Sequence, residues 1–486
     1  MSEISLCFNK KDFEYDVYTL VKAFYPDAGI HTFYKGDEEP SDDIQIRMEV
    51  EMNDDGFVFV CDDGKDPVRA SKKLDGEEDR TERKNVLKRL IYDTLSKLKG
   101  EELPWGTLTG IRPSKIPMKL LDEGWRPAEI AKHMRQTYYT SPKKTALAIA
   151  VANRERELLS AIDLKGSYSL YVGIPFCPSI CLYCSFGSHP FKKWGFMAED
   201  YLAALFKELE YIASAMKDKK LCTIYIGGGT PTTLQADQLE RLLNHIRNTF
   251  DMSNVLEFTV EAGRPDTITP EKLRVLRSCG VGRISINPQT MNQKTLDVIG
   301  REHTVSQIVS AFEMARQAGF DNINMDIITG LPGEGKEEVE RTVRAIEELN
   351  PDSFTVHSLA LKRATRLNLF KDEYAPLSFN NSQEIMDIVD MGAQRMGMEP
   401  YYMYRQKNIA GNMENVGYAR RGAFGIYNVL IMEEKQSILA AGSGAMSKFV
   451  FDDGRIERAE NVKDLKNYIE RIDEMLARKE KYIKCS

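Results

Sequence analysis

No stretch of the chain approaches the roughly 18 consecutive apolar residues that cross a bilayer. The opening MSEISLCFNKKDFEYD also lacks a basic segment followed by an apolar core. A reducing cytoplasm is therefore the expected location, with no membrane partner. Positive charge is in deficit: 66 Lys and Arg against 73 Asp and Glu leave −7. That argues against the broad basic surface of non-specific nucleic-acid binding, though not against a local basic pocket. Cysteine is sparse, eight in 486 residues. Cys7, Cys61, Cys222, Cys279 and Cys485 stand singly, so no disulfide framework is expected, and those in apolar runs read as core residues.

What the chain does have is length, enough for one large domain and one or two smaller ones. Residues 1–100 predict an α/β module, with strands in SEISLCF, IQIRMEVEM and GFVFVC and helices in YDVYTLVKAFY and RKNVLKRLIYDTLSKL; DDGKDPVRASKKLDGEEDR reads as a solvated loop. Residues 101–165, with helical patterns and several prolines, predict a connector. Over 166–365 the texture becomes a repeated alternation: YSLYVGIPF, TIYIGGG, LEFTVEA, GRISINP, NINMDIITG and SFTVHSLAL read as strands separated by amphipathic helical segments. Six such units predict a parallel sheet with helices outside, a partial (β/α)6 barrel of the TIM type, with chemistry at the carboxyl ends of the strands. Residues 366–486 break the period and predict a strand-containing α+β extension.

Polar residues collect at those strand ends. Cys177, Cys181 and Cys184 follow the first strand as C-x3-C-x2-C, one thiolate short of the four that zinc or an iron–sulfur cluster normally takes. Zinc could complete its set with His189. A cluster with one iron free of protein ligands explains the missing fourth thiolate directly and leaves that iron open to a cofactor. Gly228, Gly229 and Thr230 in YIGGGTP could let a ligand approach the backbone closely, although a tight turn is the plain reading. Glu261 and Gln289 each end an apolar strand, where a polar side chain needs a cavity or a ligand. Asp326, inside an apolar strand, demands a partner, whereas Arg301 reads by default as a solvated, salt-bridging side chain.

Taken in order, YVGIPFCPSICLYCSF, YIGGGTPTTL, TVEAGRPD, INPQTM and MDIITGLPGE resemble the motifs of the oxygen-independent coproporphyrinogen III dehydrogenase family, the HemN-like radical S-adenosylmethionine proteins. With LTGIRPSK in the N-terminal module, the chain is most similar to the HemZ branch. The resemblance implies a [4Fe–4S] cluster on Cys177, Cys181 and Cys184 with S-adenosylmethionine on its open iron, near Tyr171, Gly228 and Glu261. A second S-adenosylmethionine is implied near Tyr183, Gly229, Thr230, Gln289, Arg301 and Asp326. The chain departs from the family pattern at Gly173, where relatives often have histidine, and at Phe186, where cysteine is often found; HNxxYW survives only in Asn415 and Tyr418 of ENVGYA.

The activity so implied is oxidative decarboxylation of two propionates of coproporphyrinogen III to vinyl groups, giving protoporphyrinogen IX in porphyrin biosynthesis. A monomer served by a reduced flavodoxin- or ferredoxin-type electron donor is expected. Two rival readings are a haem-binding chaperone, with His357 as a possible haem ligand, and a radical enzyme that methylates and opens haem. A tetracarboxylate substrate needs cations, for which Arg264, Lys362, Arg363, Arg366, Arg405, Arg420 and Arg421 are candidates.

Overall fold

The computed structural model describes residues 2–39, 43–110, 112–185, 187–360, 365–369, 381–406 and 409–483. Two compact units emerge, one of residues 1–153 with 405–413 and the other of 154–404 with 414–486.

In the first unit β1 (Glu3–Phe8), β2 (Gly29–Tyr34), β3 (Ile46–Met52), β4 (Gly56–Asp62) and β5 (Val68–Lys73) form a sheet in the order β2-β1-β3-β4-β5. Helices α1 (Glu14–Phe24) and α2 (Arg80–Lys99) bury Leu20, Phe24, Leu87 and Ile91 with Leu6, Phe8 and Phe59 of the sheet in one core. α2 starts where Asp79 accepts from the Glu82 amide at 2.8 Å and stops at Gly100, whose φ of 63° ends the helix. The stretch expected to be a solvated loop contains β5, VRASKK, paired along its length with β4. Its place at the sheet edge explains the misreading: most of its side chains face solvent, so no apolar alternation marks it. Three helices follow, α3 (Lys115–Asp122), α4 (Pro127–Thr137) and α5 (Pro142–Ser160).

The second unit is built on β6 (Ser167–Ile174), β9 (Lys220–Gly228), β10 (Glu257–Glu261), β11 (Arg283–Ser285), β12 (Ile323–Thr329) and β13 (Ser353–Ser358), all parallel and in sequence order. Between the first two of these, β7 (Phe176–Cys177) pairs with β8 (His189–Pro190). Strand alternation sorts the residues by face. Leu170, Val172, Ile224, Ile226, Val260, Ile284, Met325 and Val356 are fully buried on one face. The other carries Tyr171, Tyr225, Glu261, Arg283, Asp326 and His357, which neighbour one another across the strands. This is the expected partial (β/α)6 arrangement.

The C-terminal residues are part of the same sheet. β14 (Glu399–Tyr404) and β15 (Asn415–Ala419) extend it antiparallel beyond β13, while β16 (Ser437–Ala441) runs parallel to β6 and leads to β17 (Met446–Val450) and β18 (Ile456–Glu460). YNVLIMEE, within the run read as strand-containing, is helical from Ile426 to Glu433.

A buried ion pair fixes the edge where β6 meets β16. Helix α6 (Phe191–Trp194) is followed by α7 (Ala198–Ala215), whose Glu208 bonds Lys479 Nζ at 2.5 Å with both side chains at 0% exposure. Glu208 also accepts from Asn461, Tyr468 and the Gly442 amide, and Tyr201 donates to the Gly173 carbonyl at 2.5 Å. The Glu208→Ala variant, which strands Lys479 in the interior, is expected to lose about 3–5 kcal/mol. A Glu208→Leu/Lys479→Met double variant is expected to lose clearly less. Equal losses in chemical denaturation would contradict this account of the pair.

Candidate functional site

The loop that leaves β6 carries all three clustered cysteines, and the sequence just beyond β9 folds against it. Gly228 has a φ of 106°, a conformation other residues adopt only with strain. The Gly229 amide donates to the Ile174 carbonyl at 2.7 Å and the Thr230 amide to the Phe176 carbonyl at 2.7 Å. A Cβ on Gly229 would lie 2.5 Å from the Phe176 oxygen and 3.0 Å from Cys177 Sγ. The glycines are thus required by contact with the cysteine loop, and the Thr230 hydroxyl stands 3.5 Å from Cys177 Sγ.

Cys181 is buried, and two arginines approach it. Arg264, only 2% exposed, reaches Cys181 Sγ at 3.8 Å and Ser179 Oγ at 3.1 Å while its other edge pairs with Asp266 at 2.9 Å. Burial pushes the Asp266 carboxyl up, but His303 and Arg264 outweigh it and hold the group well below the ordinary carboxylate range. Arg264 is therefore committed to the cysteine loop and is not the free cation expected for substrate carboxylates. Arg301 also departs from its expected solvated state. It is 5% exposed, donates to the carbonyls of Asn287, Pro288 (3.4 Å) and Gly263 (3.3 Å), and lies against Tyr183 and Cys181. Its Nε and the Oε1 of Gln289 are buried without a hydrogen bond.

Gln289 has a φ of 68°, uncommon for a residue with a side chain. Its amide bonds the Asp326 carbonyl at 2.9 Å, tying the end of the fourth strand to the fifth. Asp326 has its partner in His357, at 3.7 Å, with Asn324 donating at 2.6 Å. Burial pushes Asp326 upward, yet His357, Asn324 and Arg283 together keep it below its ordinary value. Glu261 differs: burial raises its carboxyl to about 7, the Tyr225 hydroxyl at 2.5 Å pulling down and Asp326 pushing up. Two neighbouring carboxyls are thereby held in opposite protonation tendencies.

Beside them, Tyr171, Tyr225 and Tyr427 stack, with Tyr225 and Tyr427 ring centres 4.5 Å apart and Tyr171 6.2 Å from Tyr225. Neither Tyr225 nor Tyr427 was singled out in the sequence. The alternation that puts Tyr225 on the face of Glu261 could have revealed the first. Tyr427 arrives from the helix Ile426–Glu433 and has no local signal. Of the remaining cation candidates, Arg420 pairs with Asp352 at 3.6 Å, Arg421 with Glu399 at 3.1 Å, and Arg405 lies buried in the first unit, bonding the Leu108 carbonyl at 2.7 Å. Arg366 is exposed, and Lys362 and Arg363 lie outside the described residues, as do Phe186 and Cys485.

A family model for the radical SAM superfamily matches residues 171–346. The chain is 38% identical over 461 residues to the oxygen-independent coproporphyrinogen-III oxidase-like protein HemZ of Bacillus subtilis, covering 92% of this chain and 91% of that one. The chain belongs to the HemN-like radical SAM family, in its HemZ branch. It is also 32% identical to the heme chaperone HemW of Haemophilus influenzae, over 62% of this chain and 75% of that protein. The structure matches coproporphyrinogen III oxidase (HemN) of Escherichia coli, a radical SAM enzyme, with a TM-score of 0.52 and 25% identity over 66% of this chain and 73% of that one.

Membership of the radical SAM family implies a [4Fe–4S] cluster and S-adenosylmethionine. The residues fit both: three thiols on one loop, a glycine cradle that a single Cβ would fill, and unsatisfied polar atoms on Gln289 and Arg301. His189, the fourth ligand of the zinc alternative, pairs through its backbone with Phe176, and its ring rests edge-on against Trp194, ring centres 5.3 Å apart.

Gly229→Ala is expected to lose most of its cluster iron on anaerobic reconstitution while keeping a wild-type circular dichroism spectrum, whereas an unchanged iron content would show that the cradle does not bear on the cysteines. Glu261 gives a pH signature. An unfolded glutamate ionises near about 4.3, while this one keeps its proton to about 7, so its ionisation lowers the stability of the cofactor-free chain progressively as pH rises between those values. Glu261→Gln should flatten that part of the curve of melting temperature against pH, and parallel curves for the two proteins would refute the shift.

Proposed function

We propose that this protein is an oxygen-independent coproporphyrinogen III dehydrogenase, converting two propionates to vinyl groups. The observation that carries this reading is the juxtaposition of the cysteine loop and glycine cradle with a polar barrel face bearing Glu261, Asp326 and His357, in a chain aligned almost end to end with a coproporphyrinogen-III oxidase-like relative.

Cys177, Cys181 and Cys184 would hold the cluster, with the Arg264 and Arg301 guanidiniums offsetting the charge of their thiolates. S-adenosylmethionine, held beside the cluster, would supply the chemistry of hydrogen-atom abstraction. Gly228 would admit its amino-acid end to the backbone, while Tyr171 and Glu261 flank it; a cation brought to Glu261 draws that carboxyl toward its ionised form. Tyr183, Gly229, Thr230, Gln289, Arg301 and Asp326 would receive a second molecule, and the unsatisfied atoms of Gln289 and Arg301 support that assignment. The tyrosine stack excludes water from the same space. After a propionate β-hydrogen is removed, carbon dioxide leaves and one electron passes to an external acceptor. A flavodoxin- or ferredoxin-type protein supplies the reducing electron, and the chain acts as a cytoplasmic monomer.

A haem chaperone is the second reading, favoured by the likeness to HemW and by a half-buried histidine, His357, hydrogen-bonded to Tyr404 at 3.3 Å. Anaerobic turnover with dithionite and S-adenosylmethionine should convert coproporphyrinogen III to a divinyl product with release of 5′-deoxyadenosine, read by mass spectrometry. Absence of vinyl product would sink the dehydrogenase reading. Haem bound tightly without consumption of S-adenosylmethionine would establish the chaperone, and S-adenosylhomocysteine formed from haem incubations would indicate methyl transfer.

A further inference from the structure

The surface behind the cysteine loop combines three features. Phe196, in the turn Gly195–Met197 that follows α6, is 80% exposed, the most exposed large apolar side chain among the described residues. Lys192 and Lys193 of α6 are exposed, and neither makes an ion pair among the described residues. Pro178, Ser179 and Ile180, the three residues between Cys177 and Cys181, share a hollow of about 410 Å³ with Pro190, Lys192, Lys193 and Arg366. That hollow is lined by three cations and no carboxylate, in a chain whose net charge is −7.

The patch is firmly joined to the ligand loop. Cys177 is in register with Pro190 across β7 and β8, the His189 amide bonds the Pro175 carbonyl at 2.7 Å, and the Phe191 ring meets the Phe176 ring edge-on with centres 5.7 Å apart. The lysines therefore start two residues beyond the strand partner of a cluster ligand. A bare aromatic a few residues from two lysines that make no ion pair among the described residues has the make-up of a binding anchor, the ring supplying desolvated contact and the lysines steering and orientation.

We propose that Lys192, Lys193 and Phe196 form the docking surface for an acidic one-electron carrier protein of the flavodoxin or ferredoxin class. The inference rests on the radical reading of the site, which requires one electron per S-adenosylmethionine cleaved. In the step concerned, the carrier loses one electron and the cluster gains it, with no bond made and no proton moved. Charge selects the occupant: a carrier with an acidic face is drawn to a positive patch on an otherwise negative protein, and its affinity falls as salt screens the attraction.

The test compares wild type, Lys192→Glu/Lys193→Glu and Phe196→Ser as full-length reconstituted chains, titrated by calorimetry with oxidised flavodoxin and separately with ferredoxin at two salt concentrations. At low salt, at least one carrier should bind wild type, the lysine variant should bind it at least tenfold more weakly with a flatter salt dependence, and Phe196→Ser should weaken binding at both salts. Iron content and dithionite-driven formation of 5′-deoxyadenosine should match wild type in both variants. If neither carrier binds wild type, or if both variants bind as wild type does, the docking surface is wrong. Failure of dithionite-driven 5′-deoxyadenosine formation in wild type would instead remove the radical reading, whatever the titrations show. If the lysine variant loses its cluster, Phe196→Ser alone decides.

Discussion

The close approach of two backbones, the glycine turn at the end of β9 and the loop leaving β6, is the contact on which the site depends. Two amide bonds of 2.7 Å join them, and the gap at Gly229 is too narrow for one methyl group. Because Cys177 lies on one side of that contact and Thr230 on the other, the geometry of the thiols is tied to the cradle. The rest of the second unit can be understood as support for this junction. β6 is held between β9 and β16, and the carbonyl of Gly173 at its end is gripped by Tyr201 beside the buried Glu208–Lys479 pair. A fully buried ion pair is a poor source of net stability but a strict one for position, since its members tolerate few other arrangements. Here it ties the helix that carries Lys479 to α7 and, through the Gly442 amide, to the end of β16, the neighbour of the strand that leads into the cysteine loop.

Electrostatics divide the barrel interior into two regions. Near the cysteines, Arg264 and Arg301 are sequestered from solvent and fastened to carbonyls, so their charge is fixed in direction. Deeper across the sheet, Asp326 is paired with a histidine and held ionised, while Glu261, facing a tyrosine hydroxyl in a largely apolar stack, retains its proton to about 7. The first region suits anionic thiolates, and the second sets an ionised carboxylate beside one that keeps its proton. The division follows from which strand ends carry which residues, not from any long-range field.

Much of this was legible in the sequence because β/α units are local. Alternation, glycine punctuation and the C-x3-C-x2-C spacing are each read within a dozen residues, and the parallel order follows once the crossovers are recognised. Misreadings came where partners are remote or solvent masks the pattern. Arg264 and Arg301 look like surface cations until Cys181 and the carbonyls of other strand ends are placed beside them. β5 carries charge on its open side and reads as loop. Tyr427 joins the tyrosine stack from a helix more than 200 residues beyond Tyr225, a distance no local pattern spans.

The C-terminal region matters for the same reason. It adds β15 to one edge of the parallel sheet and β16 to the other, so that sheet is flanked on both sides by C-terminal strands. Asn415, retained from HNxxYW, accepts from the Ser358 amide at 2.9 Å and donates to the Tyr404 carbonyl at 3.2 Å, locking β13, β14 and β15 together. Tyr418 is buried among them. Asn415 and Tyr418 thus have structural work independent of the substrate. At Gly173, a Cβ would meet only ordinary contacts of 3.5 Å or more. Gly173 thus has space for a Cβ, while the glycine–cysteine junction leaves none at Gly229.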